Sequence, residues 1–230
     1  MVKPQRRITK KELKQDEFLE FLYKGEQFAR KNAKVLSYIG AGILVVVIVA
    51  IMMYNSRQNA EMAAATALGA AQTAFDQGNY SEVIDQLQPV VDTYAGTNSA
   101  GVAIFYIGSA YYRQGEYDQA EMYFEQYINE YDNDPMLGAS SQANLGALAA
   151  DNDHYQEAAE RYREAMRRAP YKFMMHRYSL DAARYTFKAG KYDQAKTLLT
   201  NLISTDDLKT EIKSEAEELL KTIEVEQAIN

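Results

Sequence analysis

The chain has 230 residues, a net charge of −7 at pH 7, 18 tyrosines and no cysteine. The absence of cysteine excludes disulfides, thiolate metal sites and cysteine nucleophiles. Residues 1–34 carry ten Lys/Arg and five Asp/Glu, whereas residues 35–230 carry 15 and 27, and this acidic larger part would repel nucleic acid.

Residues 1–34 predict a cytoplasmic basic leader that contains a short amphipathic helix. Apolar side chains recur there at intervals of three or four residues, while the cations occupy other faces. The pattern suits a helix on the anionic cytoplasmic leaflet and equally a helix docked on a partner protein, and the sequence does not separate the two. We call the apolar residues the leader patch, and its candidate contact residues are Phe18, Phe21, Leu22 and Phe28.

Residues 35–56 are predicted to form a transmembrane helix. The segment 35–54 reads VLSYIGAGILVVVIVAIMMY and has no charged residue. Twenty helical residues span roughly 30 Å, the thickness of a bilayer's hydrocarbon core. A buried core helix is the alternative, although such helices usually keep a polar edge. A cleaved signal peptide would have a shorter apolar segment followed by an A-x-A-like site, so we favour an uncleaved signal anchor.

The basic residues beside the span predict its orientation. Four of them lie just before the span, and Arg57 is the only one within about twenty positions after it. By the positive-inside rule the leader is cytoplasmic, and residues 57–230 form a periplasmic domain. The chain is then a single-pass protein of the bacterial inner membrane. The four residues before the span are Lys24, Arg30, Lys31 and Lys34.

Four related hexapeptides after the span show an internal repeat. Their tyrosines are 37, 38 and 37 residues apart, and apolar residues at helical spacing flank each one. Each unit is therefore predicted to be a helix, a tight turn and a second helix, with the first hexapeptide residue in the left-handed conformation. The tyrosine should pack back across the turn, and the small residue three positions later should let the helices approach closely. The hexapeptides are GNYSEV at 78–83, GEYDQA at 115–120, DHYQEA at 153–158 and GKYDQA at 190–195.

The second unit carries the most specific pattern: Ile107-Gly108, Tyr111, Gly115, Tyr117, Ala120, Phe124 and Tyr127. These residues, at these intervals, resemble the tetratricopeptide repeat family. The resemblance extends over roughly 60–225 and implies a solenoid of stacked helix pairs. Because the period exceeds the family's usual 34 residues, the turns between repeats, such as the one around Pro135, are expected to accommodate the extra length.

The predicted fold class is all-α: a single N-terminal transmembrane helix followed by a tetratricopeptide-like helical repeat solenoid at 57–230. About four helix pairs and a C-terminal capping helix would form the solenoid. Residues 57–77 lack proline and are rich in alanine, so the helix of the span should continue into the first pair. The acidic amphipathic segment 206–227 is predicted to be the cap, with Leu219 and Leu220 buried.

The complete layout consists of a basic aromatic leader, one span and an acidic repeat domain. In DEFLEFLYKGEQFARKNAKVLSYIGAGILVVVIVAIMMY and in AEMAAATALGAAQTAF it is similar to the YfgM-like ancillary subunits of the bacterial Sec translocon. This resemblance implies a periplasmic domain that meets newly exported chains and cooperates with a membrane-anchored prolyl isomerase. The family's aromatic residues just after the span are replaced here by Met52-Met53-Tyr54, which does not support the same docking contact.

Motifs of catalysis and metal binding are not found in the sequence. The chain contains no G-x-S-x-G, phosphate-binding glycine loop or H-E-x-x-H. Its two histidines, His154 and His176, have no companions at ligand spacing, and both are interpreted as surface residues. We therefore predict a non-catalytic protein with no cofactor and no metal site.

The register of the tetratricopeptide family implies a groove lined by the first helices of successive pairs. In that register four cations form a basic wall beside aromatic surface, which would suit a peptide that bears carboxylates. The alternative is that these cations only pair with neighbouring acids such as Asp181. The candidate groove residues are Phe105, Tyr112, Arg113, Arg177, Arg184 and Lys188, and Leu180 is also expected to face the groove.

Two functions remain open from the sequence. The first is a chaperone-like or ancillary subunit associated with the protein-export translocon, whose partners are translocon subunits, a membrane-anchored chaperone or exported clients. The second is a structural scaffold of another cell-envelope complex that holds one fixed partner. The sequence does not choose between them, and it leaves the state of self-association open.

Overall fold

A computed structural model describes residues 22–229, and every regular element in that range is a helix. The all-α fold class is therefore confirmed for the described residues. Two leader-patch residues, Phe18 and Phe21, lie outside them. Contacts divide the chain into two units, one ending at Arg57 and the other beginning at Gln58.

The first unit contains the helix predicted to span the membrane. Residues 22–31 are helical, and α1 (Ala33–Asp76) follows them. The helix is long and apolar enough to cross a bilayer, and its most apolar window of 18 residues has no buried residue. A buried core helix is thus the wrong interpretation of this segment. Leu22 and Phe28 of the leader patch are both exposed.

Helix α1 has no break between residues 57 and 76, as the alanine-rich sequence predicts. Its residues beyond Gln58 belong to the second unit and share a hydrophobic core with the helices that follow. Those helices are α2 (Tyr80–Thr93), α3 (Asn98–Gln114), α4 (Tyr117–Gln126), α5 (Pro135–Asp151), α6 (Tyr155–Arg168), α7 (Lys172–Lys188), α8 (Tyr192–Ile203) and α9 (Thr210–Ile229). They form consecutive pairs in which α3, α5 and α7 are first helices and α4, α6 and α8 are second helices.

The turn inside each pair has the predicted backbone conformation. Gly78, Gly115 and Gly190 have φ of 79°, 81° and 77°, and Asp153 in the third pair has φ of 59°. Glycine adopts this left-handed region without a steric penalty, and aspartate is one of the few other residues that enters it readily. The hexapeptides therefore end the first helix of each pair as expected.

The hexapeptide tyrosines pack back across the turn in three of the four pairs. Ring centroids are 5.3 Å apart for Phe75–Tyr80, 5.7 Å for Tyr112–Tyr117 and 5.6 Å for Phe187–Tyr192. The third pair differs because an alanine, Ala150, takes the place of the aromatic partner. Its tyrosine, Tyr155, stacks instead on Tyr185 of the next pair, at 6.4 Å.

Small residues bring the two helices of a pair close together. Ala120, Ala158 and Ala195 have no exposed surface. On the facing helix of the second pair, a Cβ added to Gly108 would lie 3.1 Å from the Cβ of Tyr123. In the third pair a Cβ on Gly146 would lie 2.8 Å from the Tyr162 ring. These distances leave no room for a larger side chain.

The connection between the second and third pairs accommodates part of the extra length of the repeat. Helix α4 continues as a π-helical segment, Tyr127–Tyr131, which adds backbone without starting a new element. Asp134 then caps α5 by accepting hydrogen bonds from the backbone N–H groups of Met136 (2.8 Å) and Leu137 (3.2 Å). This region around Pro135 is one of the turns expected from the sequence to accommodate the longer repeat period.

The C-terminal helix α9 packs against α7 and α8, as a cap would. Ile212, Ala216 and Ile223 are buried in the last core cluster. Leu219 and Leu220, predicted to be buried, are only half-buried and pack at its edge. They flank the buried stripe, and no further helix among residues 22–229 covers that side.

Replacing Ala120 or Ala158 by leucine should lower the free energy of unfolding by about 1–3 kcal/mol, because the added carbons overpack a close helix contact. The matched control is Ala65→Leu on an exposed position of α1, which should cost little. Urea unfolding of the full chain followed by circular dichroism measures the difference. Equal midpoints in the three variants would contradict this packing.

Candidate functional site

The first helices of successive pairs form a common face, and two adjacent cavities lie on it. The larger, which we call the apolar cavity, has a volume of about 520 Å³ and is lined mainly by aromatic and aliphatic side chains. Its walls come from four different helices. The residues of that wall used below are Phe105 and Tyr106 of α3, Met136 and Leu137 of α5, Phe173 of α7 and Ile212 of α9.

A second cavity of about 400 Å³ shares Phe105 and Tyr106 with the first. We call it the polar cavity, because Ser109, Arg113 and Asn144 contribute to its lining. Since the two cavities share these two side chains, they are adjacent, and we call the two together the first-helix groove. It offers an apolar compartment at one end and hydrogen-bonding groups at the other.

The shared wall is held in place by ring contacts. The Phe105 ring lies 5.9 Å from Phe124 and 6.2 Å from Tyr127, and both partners are fully buried on the neighbouring helix and its π-helical extension. The Tyr106 ring lies 5.5 Å from Phe75 in an edge-to-face arrangement. These contacts fix the rings before any ligand arrives, which reduces the entropic cost of binding.

The mouth of the apolar cavity exposes large apolar side chains. Phe173 is 53% exposed and Met136 is 42% exposed. Tyr171 stacks on Phe173 with centroids 5.8 Å apart, and Lys209 Nζ lies 5.7 Å from the Phe173 centroid. An aromatic side chain with half its surface in water next to an apolar cavity indicates a contact surface.

Two of the predicted groove cations are engaged by acids of the same chain. Arg177 donates to both carboxylate oxygens of Glu215 on α9 at 3.1 Å. Arg184 donates to Asp181 at 2.5 Å and to Glu215 at 3.3 Å. Pairing with neighbouring acids, which the alternative from the sequence requires, is therefore present for these two arginines.

The arginine cluster has more acids than bases. Arg177 also lies 3.7 Å from Glu211, so three carboxylates surround two guanidinium groups. Burial raises the pKa of Asp181, although the nearby Arg184 and Arg177 act in the opposite direction. An incoming carboxylate would have to displace Glu215 and would meet excess negative charge, so this cluster does not favour an acidic ligand.

The remaining two cations differ from each other. Lys188 Nζ lies 5.1 Å from the Tyr155 centroid and 5.4 Å from the Tyr185 centroid, and cation–π attraction holds it there. Arg113 is exposed, lines the polar cavity beside Tyr112, and has no ion pair among residues 22–229. Arg113 is therefore the cation of the predicted wall that is best placed to meet a ligand.

The structure thus brings together only part of the residue set expected from the sequence. Phe105, Tyr112, Arg113 and Arg177 line the two cavities, whereas Arg184 and Lys188 do not. Sequence reasoning missed the apolar residues at the start of α5 and α7. Their signal was the presence of Met136-Leu137 and Phe173-Met174 in first helical turns, where polar residues are common.

Two further expectations were wrong. Leu180, placed in the groove, is fully buried, and His176, interpreted as a surface residue, is 2% exposed. His176, Leu180 and Ala183 follow one another at intervals of four and three residues on α7. They therefore share one face of the helix, and this face packs against the core. His154 is exposed, as expected. Among residues 22–229 no group of three His, Cys, Asp or Glu could hold a metal ion.

Comparison with known proteins gives one family match. Residues 102–134, which cover α3 without its first four residues, α4 and the connection up to Asp134, match the family described as Tetratricopeptide repeat. No curated protein is similar enough to the chain to count as a match. The family match falls on the pair in which the sequence pattern was most specific.

The double substitution Arg177→Glu with Arg184→Glu should lower the free energy of unfolding by about 1–3 kcal/mol, because Glu215 and Asp181 lose their partners and face like charges. The matched control is Arg113→Glu, which breaks no ion pair of the described residues and should change stability by less than about 0.5 kcal/mol. Urea unfolding of the full chain measures both. A double variant as stable as the control would show that the cluster does not hold α9.

Proposed function

We propose that this tetratricopeptide repeat protein is a membrane-anchored interaction module that holds polypeptide segments in the first-helix groove. Tetratricopeptide repeats mediate protein–protein interactions and are typically non-catalytic. The observation that carries the proposal is the apolar cavity, whose wall comes from four helices and whose mouth exposes Phe173 and Met136. A volume of about 520 Å³ lies within the usual range of ligand pockets.

The chemistry of the groove favours a segment with large apolar side chains. Such side chains would enter the apolar cavity and cover Phe173 and Met136, which gains the free energy of removing apolar surface from water. The polar cavity can then hydrogen-bond the peptide backbone or polar side chains through Ser109, Asn144 and Arg113. Because Arg177 and Arg184 already have carboxylate partners, charge makes a smaller contribution than the basic wall suggested.

We further propose that the module is an ancillary, chaperone-like subunit of the protein-export translocon. The span, the excess of basic residues before it and the resemblance to YfgM-like subunits support this assignment. Apolar segments are what a newly exported chain exposes before it folds, and they are the ligands that suit the apolar cavity. Photo-crosslinkers in the span at Val46, followed by mass spectrometry, should identify translocon subunits. Capture of one stoichiometric partner from another envelope complex would favour the scaffold function instead.

The groove can be tested by exposed residues whose replacement does not disturb the core. Phe173→Ser combined with Met136→Ser should weaken the binding of an unfolded, aromatic-rich peptide about tenfold, because the apolar anchor contact is lost. Fluorescence anisotropy with the full chain in lipid nanodiscs measures the affinity. Met122→Ser on α4 is the control, since Met122 is 51% exposed and lines neither cavity. Unchanged affinity in the folded double variant would remove the groove from the proposed function.

Orientation is tested separately from binding. With the leader in the cytoplasm, protease added to cells with an opened outer membrane should digest the repeat domain after residue 57 and leave the leader intact. The charge difference on the two sides of the span is the physical reason. An epitope at each terminus shows which part of the chain is digested, and an intact cytoplasmic reporter protein shows that the cells have not lysed. A protected repeat domain would reverse the proposed topology.

A further inference from the structure

The polar cavity of the first-helix groove contains two ionic groups that the chain itself does not pair. Among the described residues, the charged members of its lining are Asp76, the last residue of α1, and Arg113, in the last turn of α3. Both residues are exposed, and within residues 22–229 neither side chain has a hydrogen bond or an ion pair. A ligand in this cavity can therefore reach a carboxylate and a guanidinium without displacing a partner of either.

The position of Asp76 brings no benefit to its own helix. A carboxylate is unfavourable at the C-terminal end of a helix, where the aligned peptide dipoles concentrate partial negative charge. Arg113 is different, because a cation in the last turn of α3 is favourable by the same rule. The unpaired carboxylate is thus the feature of this cavity that its helix does not explain.

Neutral groups complete the lining of the polar cavity. The Ser109 hydroxyl donates to the backbone oxygen of Phe105 at 2.9 Å, which leaves its own oxygen able to accept. The half-buried Asn144 amide has no hydrogen bond among residues 22–229 and can both donate and accept. Burial, with Asp151 nearby, raises the pKa of the Tyr112 phenol, so this hydroxyl keeps its proton and can donate. The cavity therefore offers donors and acceptors together.

This combination disfavours most groups that a peptide could place in the cavity. A carboxylate has no proton to give to Asp76, and a guanidinium or ammonium group has no acceptor for Arg113. An aliphatic side chain would remove water from all the polar groups and replace none of their hydrogen bonds. A backbone peptide unit is planar and trans, so its N–H and C=O point in nearly opposite directions and cannot both enter one cavity.

A carboxamide side chain fits the polar cavity best. Asparagine and glutamine carry an NH₂ group with two donors beside a carbonyl oxygen with two lone pairs. The NH₂ group can donate to Asp76 while the oxygen accepts from Arg113, and Asn144 can bond to either end. A neutral amide is also less costly to remove from water than an ion.

The spacing of the two cavities indicates where the carboxamide lies relative to the apolar anchor. Phe105 lines both cavities, whereas Ser109, four residues further along α3, lines only the polar one. Four helical residues rise about 6 Å. Two residues of an extended peptide span about 6.6 Å, and side chains two residues apart point to the same side. An apolar side chain and a carboxamide separated by one residue therefore match the two cavities.

We propose that the polar cavity selects segments in which an asparagine or glutamine lies two residues from the large apolar side chain that enters the apolar cavity. Asp76, Arg113 and Asn144 are then specificity-determining residues. The inference rests on the proposed function, because the segment must first occupy the groove, and it narrows the ligand from apolar segments in general to apolar segments that also carry an amide.

The test uses the full chain in nanodiscs of zwitterionic lipid and a fluorescent peptide, acetyl-Gly-Gln-Ser-Phe-Ser-Gln-Gly-amide. Two further peptides replace both glutamines by glutamate, which has the same shape but no donor, or by methionine, which has neither hydrogen-bonding group. Fluorescence anisotropy should show that the glutamine peptide binds about tenfold more tightly than the other two. Asp76→Asn should reverse the preference between glutamine and glutamate, because Arg113 is then the charged residue that remains in the cavity.

The matched control is Asp118→Asn on α4, which removes the same charge from an exposed position outside both cavities and should leave the preference unchanged. Equal affinities of the three peptides for the unmodified chain would overturn the inference and leave the groove intact, since all three carry the same phenylalanine. An Asp76→Asn variant with the same preference as the control would also overturn it. The Phe173→Ser, Met136→Ser variant should weaken all three peptides by one common factor. If none of the peptides bound the unmodified chain, the proposed function would fail together with this inference.

Discussion

A helix pair of this protein cannot bury its own apolar surface, and the structure of the second unit follows from that constraint. Within a pair, Ala120 and Ala158 let the helices approach until their facing sides exclude water. The outer sides stay apolar and are covered only when the next pair packs on them. Stacking therefore places α3, α5, α7 and α9 next to one another, although each is separated from the next by a whole second helix.

The groove is a consequence of this stacking. Its apolar cavity has residues from three first helices and from the capping helix α9 on its wall, so no single repeat could form it. Ring contacts from Phe124 and Tyr127 hold Phe105 at the centre of the wall, and these two residues also belong to the core. A rigid wall beside the exposed Phe173 gives a surface that can accept apolar side chains at low entropic cost.

More of the predicted groove cations contact groups of the repeat domain itself than the sequence suggested. Glu215 of the capping helix accepts hydrogen bonds from Arg177 and Arg184, and Lys188 lies over two tyrosine rings. Arg177 and Arg184 of the predicted wall thus hold the last pair and its cap together, whereas Lys188 links the third pair to the fourth. This leaves the first-helix groove with a mainly apolar character at the end that contains Phe173.

Local rules were enough to predict much of the fold. Gly78, Gly115 and Gly190 mark left-handed turns because the backbone conformation depends on the residue itself, and the uncharged segment at 35–54 marks a span because its length and polarity are local properties. Long-range contacts decided the rest. Whether Arg177 meets Glu215, 38 residues away, or whether His176 faces the core depends on how successive pairs rotate on one another. The same rotation brings Phe173 and Phe105 to the wall of one cavity. No spacing in the sequence encodes this rotation, because many side chains from several helices set it together.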